Sequence, residues 1–174
     1  MDNECVRKAI RHSAGLEQLM NAIVYFTHPA QFCASVLALE RQPDMPKAET
    51  ARQRVGQFLK TWPSIFGGMT WVLNRVTHAH RDRSGFDRTY DYLAVSGQAS
   101  AQMFLRDLGL TIPYRRADVV ALTGRFLTHE VGDWQGNDRV SSVRYIRADV
   151  FKDAEIPEPG WADVQSVKAQ LGIL

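Results

Sequence analysis

Three short stretches hold the residues that could do chemistry. His80-Arg81-Asp82 sets an imidazole and a carboxylate two positions apart. In extended chain, side chains at i and i+2 point the same way, so His80 and Asp82 can offer a nitrogen and an oxygen to one ion. A third ligand must come from elsewhere. His129 lies 47 positions after Asp82, beside a glycine-rich turn at Gly132 and Gly136. Two histidines and one carboxylate on one face of a metal leave three positions open, the arrangement favoured by non-haem Fe(II) oxygenases. Ten positions after His129 comes Arg139, followed by Val140 and Ser141. Oxygenases that use 2-oxoglutarate need a cation for the distal carboxylate of that cosubstrate. An arginine fork binds a carboxylate through two parallel hydrogen bonds, and a hydroxyl two residues on faces the same way. The order His-x-Asp, His, Arg-x-Ser is thus a full set of groups for a metal and a keto acid. Taken singly, each piece is weak. Arg139, for example, could simply pair with Asp133 or Asp138 on the surface, for about 0–1 kcal/mol.

The other histidines carry less. His12 and His28 have no carboxylate or second histidine at a ligand spacing, and read as surface or capping residues. His78-x-His80 suggests a cupin metal site, but Ser84 and Gly85 stand where that site wants a glutamate. His78 is then either a pocket residue beside the ligands or a plain loop residue. Cys5 and Cys33 form no Cys-x-x-Cys pair, so no thiolate zinc site is spelled out.

The elements that must position these residues change character along the chain. Helical periodicity runs from Val6 to Tyr25, with a weak point at Gly15. It recurs from Ala30 to Gln42, where Phe32, Val36 and Leu39 repeat at helical spacing, and from Ala48 to Thr61. Pro29 suits a first helical turn, and Pro43 and Pro46 end the second segment. After Gly67-Gly68 come β-rich runs: Met69 to Val76, Tyr90 to Val95, Gln102 to Leu105, Asp118 to Leu122, Phe126 to His129 and Val140 to Ile146. Close-spaced strands with turn signals predict an antiparallel sandwich or barrel, and helices before strands an α+β arrangement. A short helix is expected from Trp161 to Leu171.

With 174 residues, 45% hydrophobic and 23% charged, the chain can bury a real core and reads as one domain. The expected parts are a helical front over 1–66, a β core over 67–151 and a tail over 152–174. The net charge of +2 is too balanced to argue for nucleic acid from bulk electrostatics. Met1-Asp2-Asn3-Glu4 lacks the basic start of a signal peptide, and no apolar window approaches the roughly 20 residues that span a bilayer. An intracellular protein without a membrane partner is expected.

The residues also resemble a known family. Asn74 to Asp82 is similar to the Asn-Arg-x-Thr-x-x-His-Arg-Asp segment of fungal TET/JBP-like dioxygenases. Asp87 to Val95 resembles the strand that follows it there. Leu105 to Gly109 resembles that family's Leu-Pro-x-Leu-Gly turn, with Arg106 in place of the proline. Gly124 to Val131 is similar to its Gly-Arg-x-Leu-x-His-x-Val block, and Arg139-Val140-Ser141 to its cosubstrate strand. The resemblance implies a double-stranded β-helix (a distorted jelly roll) with N-terminal helices packed outside. It implies Fe(II) held by His80, Asp82 and His129, and 2-oxoglutarate held by Arg139, Ser141 and Arg75, with O₂ as cosubstrate. It also implies oxidation of the methyl group of 5-methylcytosine, or of a related methylated base, in DNA, and through that a nuclear location.

A base in duplex DNA must be flipped out to reach a buried iron. Phe86, Asp87, Tyr90, Tyr92 and Trp134 are candidates to receive it, against core packing for the tyrosines and a loop role for Trp134. Arg81, Arg83, Arg88, Arg115, Arg116 and Arg125 are candidates for a phosphate-binding rim. Two alternatives stay open: hydroxylation of a protein side chain or small molecule, and a jelly-roll binding module with an idle metal site.

Overall fold

The computed structural model describes residues 3–42, 49–161 and 163–172. The chain divides into two compact units, Met1–Gly67 with Asp149–Leu174, and Gly68–Ala148.

In the first unit, α1 (Asn3–Thr27) runs unbroken through Gly15. Its buried positions Ser13, Glu17, Met20 and Val24 follow the four-three-four spacing of one helix face. His28 caps α2 (Pro29–Arg41): Gln31 donates its backbone N–H to His28 Nδ1, and Pro29 opens the first turn. His28 is fully buried, so of the two expected roles it takes the capping one. The buried face of α2 is Gln31, Ala34, Ser35 and Ala38, small residues beside the expected Phe32, Val36 and Leu39. α3 spans Glu49–Leu59; Pro43, Pro46 and Ala48, which were expected to mark a boundary, lie outside the described residues. The remaining helices are α4 (Ala148–Asp153) and α5 (Val164–Leu171). The sequence reading did not anticipate α4, and α5 starts three residues later than expected.

The second unit has eight strands: β1 (Gly68–Leu73), β2 (Thr77–His80), β3 (Asp91–Val95), β4 (Ala101–Leu105), β5 (Leu110–Tyr114), β6 (Val119–Leu122), β7 (His129–Val131) and β8 (Val140–Tyr145). They form two antiparallel sheets, ordered β1-β8-β3-β6 and β2-β7-β4-β5. Apart from the β4–β5 hairpin, which lies within one sheet, strands alternate between the sheets along the chain, as in a jelly roll. The fold is α+β, as expected. Leu93, Val95, Ala101, Met103, Leu105, Tyr114, Leu122 and Val131 make the core of this unit, drawn from both sheets.

Three strand expectations change. The run Met69 to Val76 is one strand followed by a turn, where Asn74 takes a positive φ of 47°, and β2 begins afresh at Thr77. His129 opens β7 and does not close a strand, because residues 123–127 form a turn in which Phe126 and Leu127 both donate to the Thr123 carbonyl. β5, unforeseen, carries Pro113. A sheet edge tolerates proline, and β5 is the edge beyond β4.

Candidate active site

β2 and β7 lie side by side, and their register pairs His80 with His129. The two imidazole centroids are 4.3 Å apart. Asp82 follows β2 by two residues and is pinned there, its N–H donating to the Gly124 carbonyl at 2.9 Å. One ligand atom from each of His80, Asp82 and His129 lies within 4.8 Å of the others. His80 Nε2 is 3.6 Å from Asp82 Oδ1, and His129 Nε2 is 3.5 Å from Asp82 Oδ2. Each imidazole turns its other nitrogen to the main chain: Nδ1 of His80 to the His78 carbonyl at 2.8 Å, and Nδ1 of His129 to the Leu127 carbonyl at 3.0 Å. The tautomer protonated on Nδ1 makes both bonds and leaves each Nε2 lone pair for a metal. Burial, with His80 beside it, pushes the His129 imidazole below its ordinary value, against the Leu127 carbonyl and Asp82. A neutral imidazole is the form that ligates.

One carboxylate ties the two ligand-bearing segments together. Asp107 accepts the N–H of Thr128, the residue before His129. It also accepts from Arg81 Nη2 at 3.0 Å, and Arg81 sits between His80 and Asp82. Arg81 Nε donates to Thr128 Oγ1 at 2.9 Å, which closes the bracket.

The triad opens on a cavity of about 310 Å³. Arg139 and Ser141 line it from β8, and each is 2% exposed. Arg139 Nη1 donates to the Arg75 carbonyl, while its Nε has no partner. The pairing of Arg139 with Asp133 or Asp138, weighed from sequence, does not form: Asp138 instead accepts from Asn74 at 2.9 Å. Arg75 meets the site through its main chain; its side chain is exposed and not in the cavity wall. His78 likewise contributes a carbonyl and keeps its side chain outside the wall.

None of Phe86, Asp87, Tyr90, Tyr92 or Trp134 lines the cavity. Tyr92 is fully buried, and Trp134 packs against the core. The aromatic residues of the wall are Tyr114 and Tyr145. Alternation along β8 would have found the second: Arg139, Ser141, Val143, Tyr145 and Arg147 all face the cavity at every second position. Asp91 was also missed. It is buried in the wall, and its carboxyl is pushed up to about 7, chiefly by burial and then by Asp82, against a hydrogen bond from the Gly124 backbone. Gly124 is what lets these carboxylates meet: a Cβ there would lie 2.5 Å from Asp91 Oδ2 and 2.6 Å from Asp82 Oδ2.

Three of the six arginines of the expected basic rim have carboxylate partners. Arg81 pairs with Asp107, Arg125 with Asp87 and Arg115 with Asp118. Arg106, in the place of the family's proline, pairs with Glu130 at 2.7 Å.

The family model Tet_JBP, the oxygenase domain of the 2OGFeDO superfamily, matches residues 5–148. The chain belongs to this family. This Tet_JBP chain thus carries, over residues 5–148, a match to the oxygenase domain of that superfamily. No curated protein matches its sequence. Among solved structures, it is similar to NgTET1, solved in complex with 5mC DNA, at 14% identity and a TM-score of 0.46. That match covers 72% of this chain, which spans 50% of the NgTET1 chain. It is also similar to a Cupin 2 conserved barrel domain protein from Salinispora arenicola CNS-205, at 15% identity and a TM-score of 0.37, covering 54% of this chain and 76% of that one. Among the described residues, no helix of the Tet_JBP chain is long and apolar enough to cross a membrane.

Proposed function

We propose that this chain uses Fe(II) and 2-oxoglutarate to oxidise the methyl group of 5-methylcytosine, or of a related methylated base, in DNA. One observation carries the reading: a His-Asp-His cluster and a buried arginine with an unpartnered Nε share one cavity. The donor set suits the metal, since two imidazoles and a carboxylate are ligands for Fe(II) with open positions. The unpartnered Nε suits an anion, since a buried donor left alone costs about 1–3 kcal/mol that a ligand recovers. His80, Asp82 and His129 would hold the iron, and Arg139 and Ser141 the cosubstrate carboxylate, with the Arg75 carbonyl fixing the guanidinium. When bound, the metal and cosubstrate together supply the oxidising power of the superfamily, with O₂ as the oxidant.

The protein's own part is orientation and shielding. The two main-chain carbonyls fix both imidazoles, and the Asp107 bracket fixes their spacing. Leu93, Met103, Val131 and Val143 line the cavity with apolar surface and limit its water. Membership of the Tet_JBP family supports a nucleic-acid substrate. Tyr145 offers a half-buried ring in the wall, and Arg147 a cation, where a flipped base would enter.

The test is mass spectrometry of methylated duplexes incubated with Fe(II), 2-oxoglutarate and O₂, with Asp82→Ala as control. Hydroxymethylated base in the wild type alone is the expected result. A protein that consumes 2-oxoglutarate yet leaves every methylated duplex unchanged would replace the DNA reading with hydroxylation of a protein side chain or small molecule. The pairing of three of the six rim arginines favours that second reading, because arginines already paired contribute less to phosphate binding.

A further inference from the structure

α1 is patterned the wrong way round for a helix that packs on one side only. The face it buries carries Ser13 and Glu17 beside Met20 and Val24. A second stripe, about a third of a turn away, carries Leu16, Leu19, Ile23 and Phe26. Leu19 is 55% exposed and Phe26 67%, while Leu16 and Ile23 are half-buried. Tyr25 is exposed too, its ring edge-on to that of Phe26 at 5.2 Å. A single exposed apolar side chain means little, but a contiguous patch marks an interaction surface.

The spacing says what fits. Steps of three, four and three residues are the a and d positions of a heptad, the pattern that seats a second helix. Charge says which helix. Between Gly15 and Thr27 the charged residue is Glu17 alone, and it is buried. Two copies of this segment therefore meet without like-charge repulsion. The first half of α1 is basic, with Arg7, Lys8 and Arg11 exposed, so parallel pairing would set cations against cations. Antiparallel pairing about a two-fold axis between Leu19 and Ile23 avoids this. It sets Leu16 against Phe26, and Leu19 against Ile23, of the second copy. It also carries Arg11 past the far end of the other α1, the negative end of a helix with no basic residue in its own last turn. Gly15 and Ala22 flank the stripe. A Cβ at Gly15 would meet nothing within 4 Å, so another backbone can come close there.

The area suffices for a weak dimer. Aromatic side chains bury about 150–250 Å², so Tyr25 and Phe26 alone expose on the order of 200 Å². With Leu16, Leu19, Ile23 and the flanking surface, each copy would cover roughly 500–600 Å². The total of about 1,000–1,200 Å² is the least that a specific interface needs.

We propose that the exposed face of α1 is a dimer interface, on which a second copy of this chain packs its own α1 antiparallel.

The experiment is sedimentation velocity of the full chain between about 1 and 200 µM, with circular dichroism to verify the fold of each variant. The wild type is expected to pass from monomer to dimer in that range. Leu19→Glu combined with Phe26→Glu should stay monomeric throughout, a loss of at least about tenfold in dimer affinity. Leu73→Glu, an equal change at a 62% exposed residue of β1, should dimerise as the wild type does. A wild type still monomeric at about 200 µM would overturn the proposal. Binding of that monomer to phosphatidylcholine–phosphatidylserine vesicles would then give the stripe to a membrane surface. A dimer that survives the double substitution would also overturn it, and so would one lost in Leu73→Glu, which would place the interface on β1. Should the double variant fail to fold, Phe26→Ser alone takes its place. Orientation is read from disulfides in a Cys5→Ser, Cys33→Ser background carrying Leu16→Cys and Phe26→Cys. Links from position 16 to position 26 between copies are expected, and links from 16 to 16 would overturn the antiparallel arrangement.

Discussion

The two sheets of the β unit hold the two halves of the site by different means. The metal side rests on short strands. β2 has four residues and β7 three, and the register between them is irregular between Thr77 and His80. Their geometry is completed by side chains, through the Asp107–Arg81–Thr128 bracket and the carboxylates crowded at Gly124. On the anion side, Arg139 leads into β8, six residues long and paired on both flanks by β1 and β3. There the main-chain ladder does the positioning, and alternation delivers Arg139 and Ser141 to the cavity. Precision on the first side comes from particular side chains, and on the second from register. Single substitutions should therefore move metal affinity easily and leave the anion side in place.

The sharpest test sets Asp82→Ala against Arg139→Met. Losing one ligand of three should weaken Fe(II) binding by more than about 100-fold, since even outer contacts to ligands cost about 10–100-fold. Arg139→Met should keep Fe(II) affinity within a few-fold and lose 2-oxoglutarate binding. Metal titration followed by cosubstrate titration separates the two. If Arg139→Met also lost iron, the halves would not be independent and the comparison would fail.

Next in size is Gly124→Ala. Its Cβ would strike both Asp82 and Asp91 carboxylates, so one must move. Metal affinity should fall by roughly 10–100-fold. Gly85→Ala is the control: it also faces the cavity, but its Cβ would come no nearer than 3.4 Å to the Asp82 carbonyl, an ordinary contact. Equal effects from the two would show that bulk near the site matters and the carboxylate approach does not.

The Asp91 carboxyl gives the metal-free protein a pH signature. Its value in the fold, about 7, is above the ordinary carboxylate value, so folding favours the protonated form. The stability this confers is complete below about pH 4 and is lost as pH rises through about 7. The melting temperature of the wild type, measured without metal, should fall across that window relative to Asp91→Asn. A constant difference between the two would remove Asp91 from the carboxylate cluster.

The residues proposed here to hold the metal, and the proposed Arg139–Ser141 pair, could be picked out because their chemistry restricts residue type: few side chains bind iron or fork onto a carboxylate. Their order along the chain carried the signal before any strand was placed correctly. β2 was not legible, because it has only four residues, with His78 exposed and His80 turned to the cavity, and its irregular register shows no clean alternation. β5 was hidden by Pro113, which reads as a breaker unless the strand is known to be an edge. Tyr114 was lost with it. The aromatic candidates failed for a different reason: Tyr92 and Trp134 are equally aromatic, and only the sheet's facing says which ring sees the cavity.

The smallest effect should come from Asp107, and it tests whether the bracket on the metal side is real. Asp107 is exposed, yet its carboxyl is held below the ordinary range, first by the Thr128 N–H, then by the Thr128 hydroxyl and Arg81. A group lowered in the fold contributes above its unfolded value of about 3.9 and loses that contribution as pH falls through the folded one. Wild type and Asp107→Asn should thus differ in melting temperature by a constant amount above about pH 5, and converge below about pH 4. Fe(II) affinity at neutral pH should drop by about tenfold or less, because the asparagine keeps one acceptor and loses the charge that draws Arg81. If affinity were unmoved while the melting temperature fell, the bracket would hold the fold but not the ligand spacing. The metal side would then owe its geometry to the β2–β7 ladder, as the anion side does to β8.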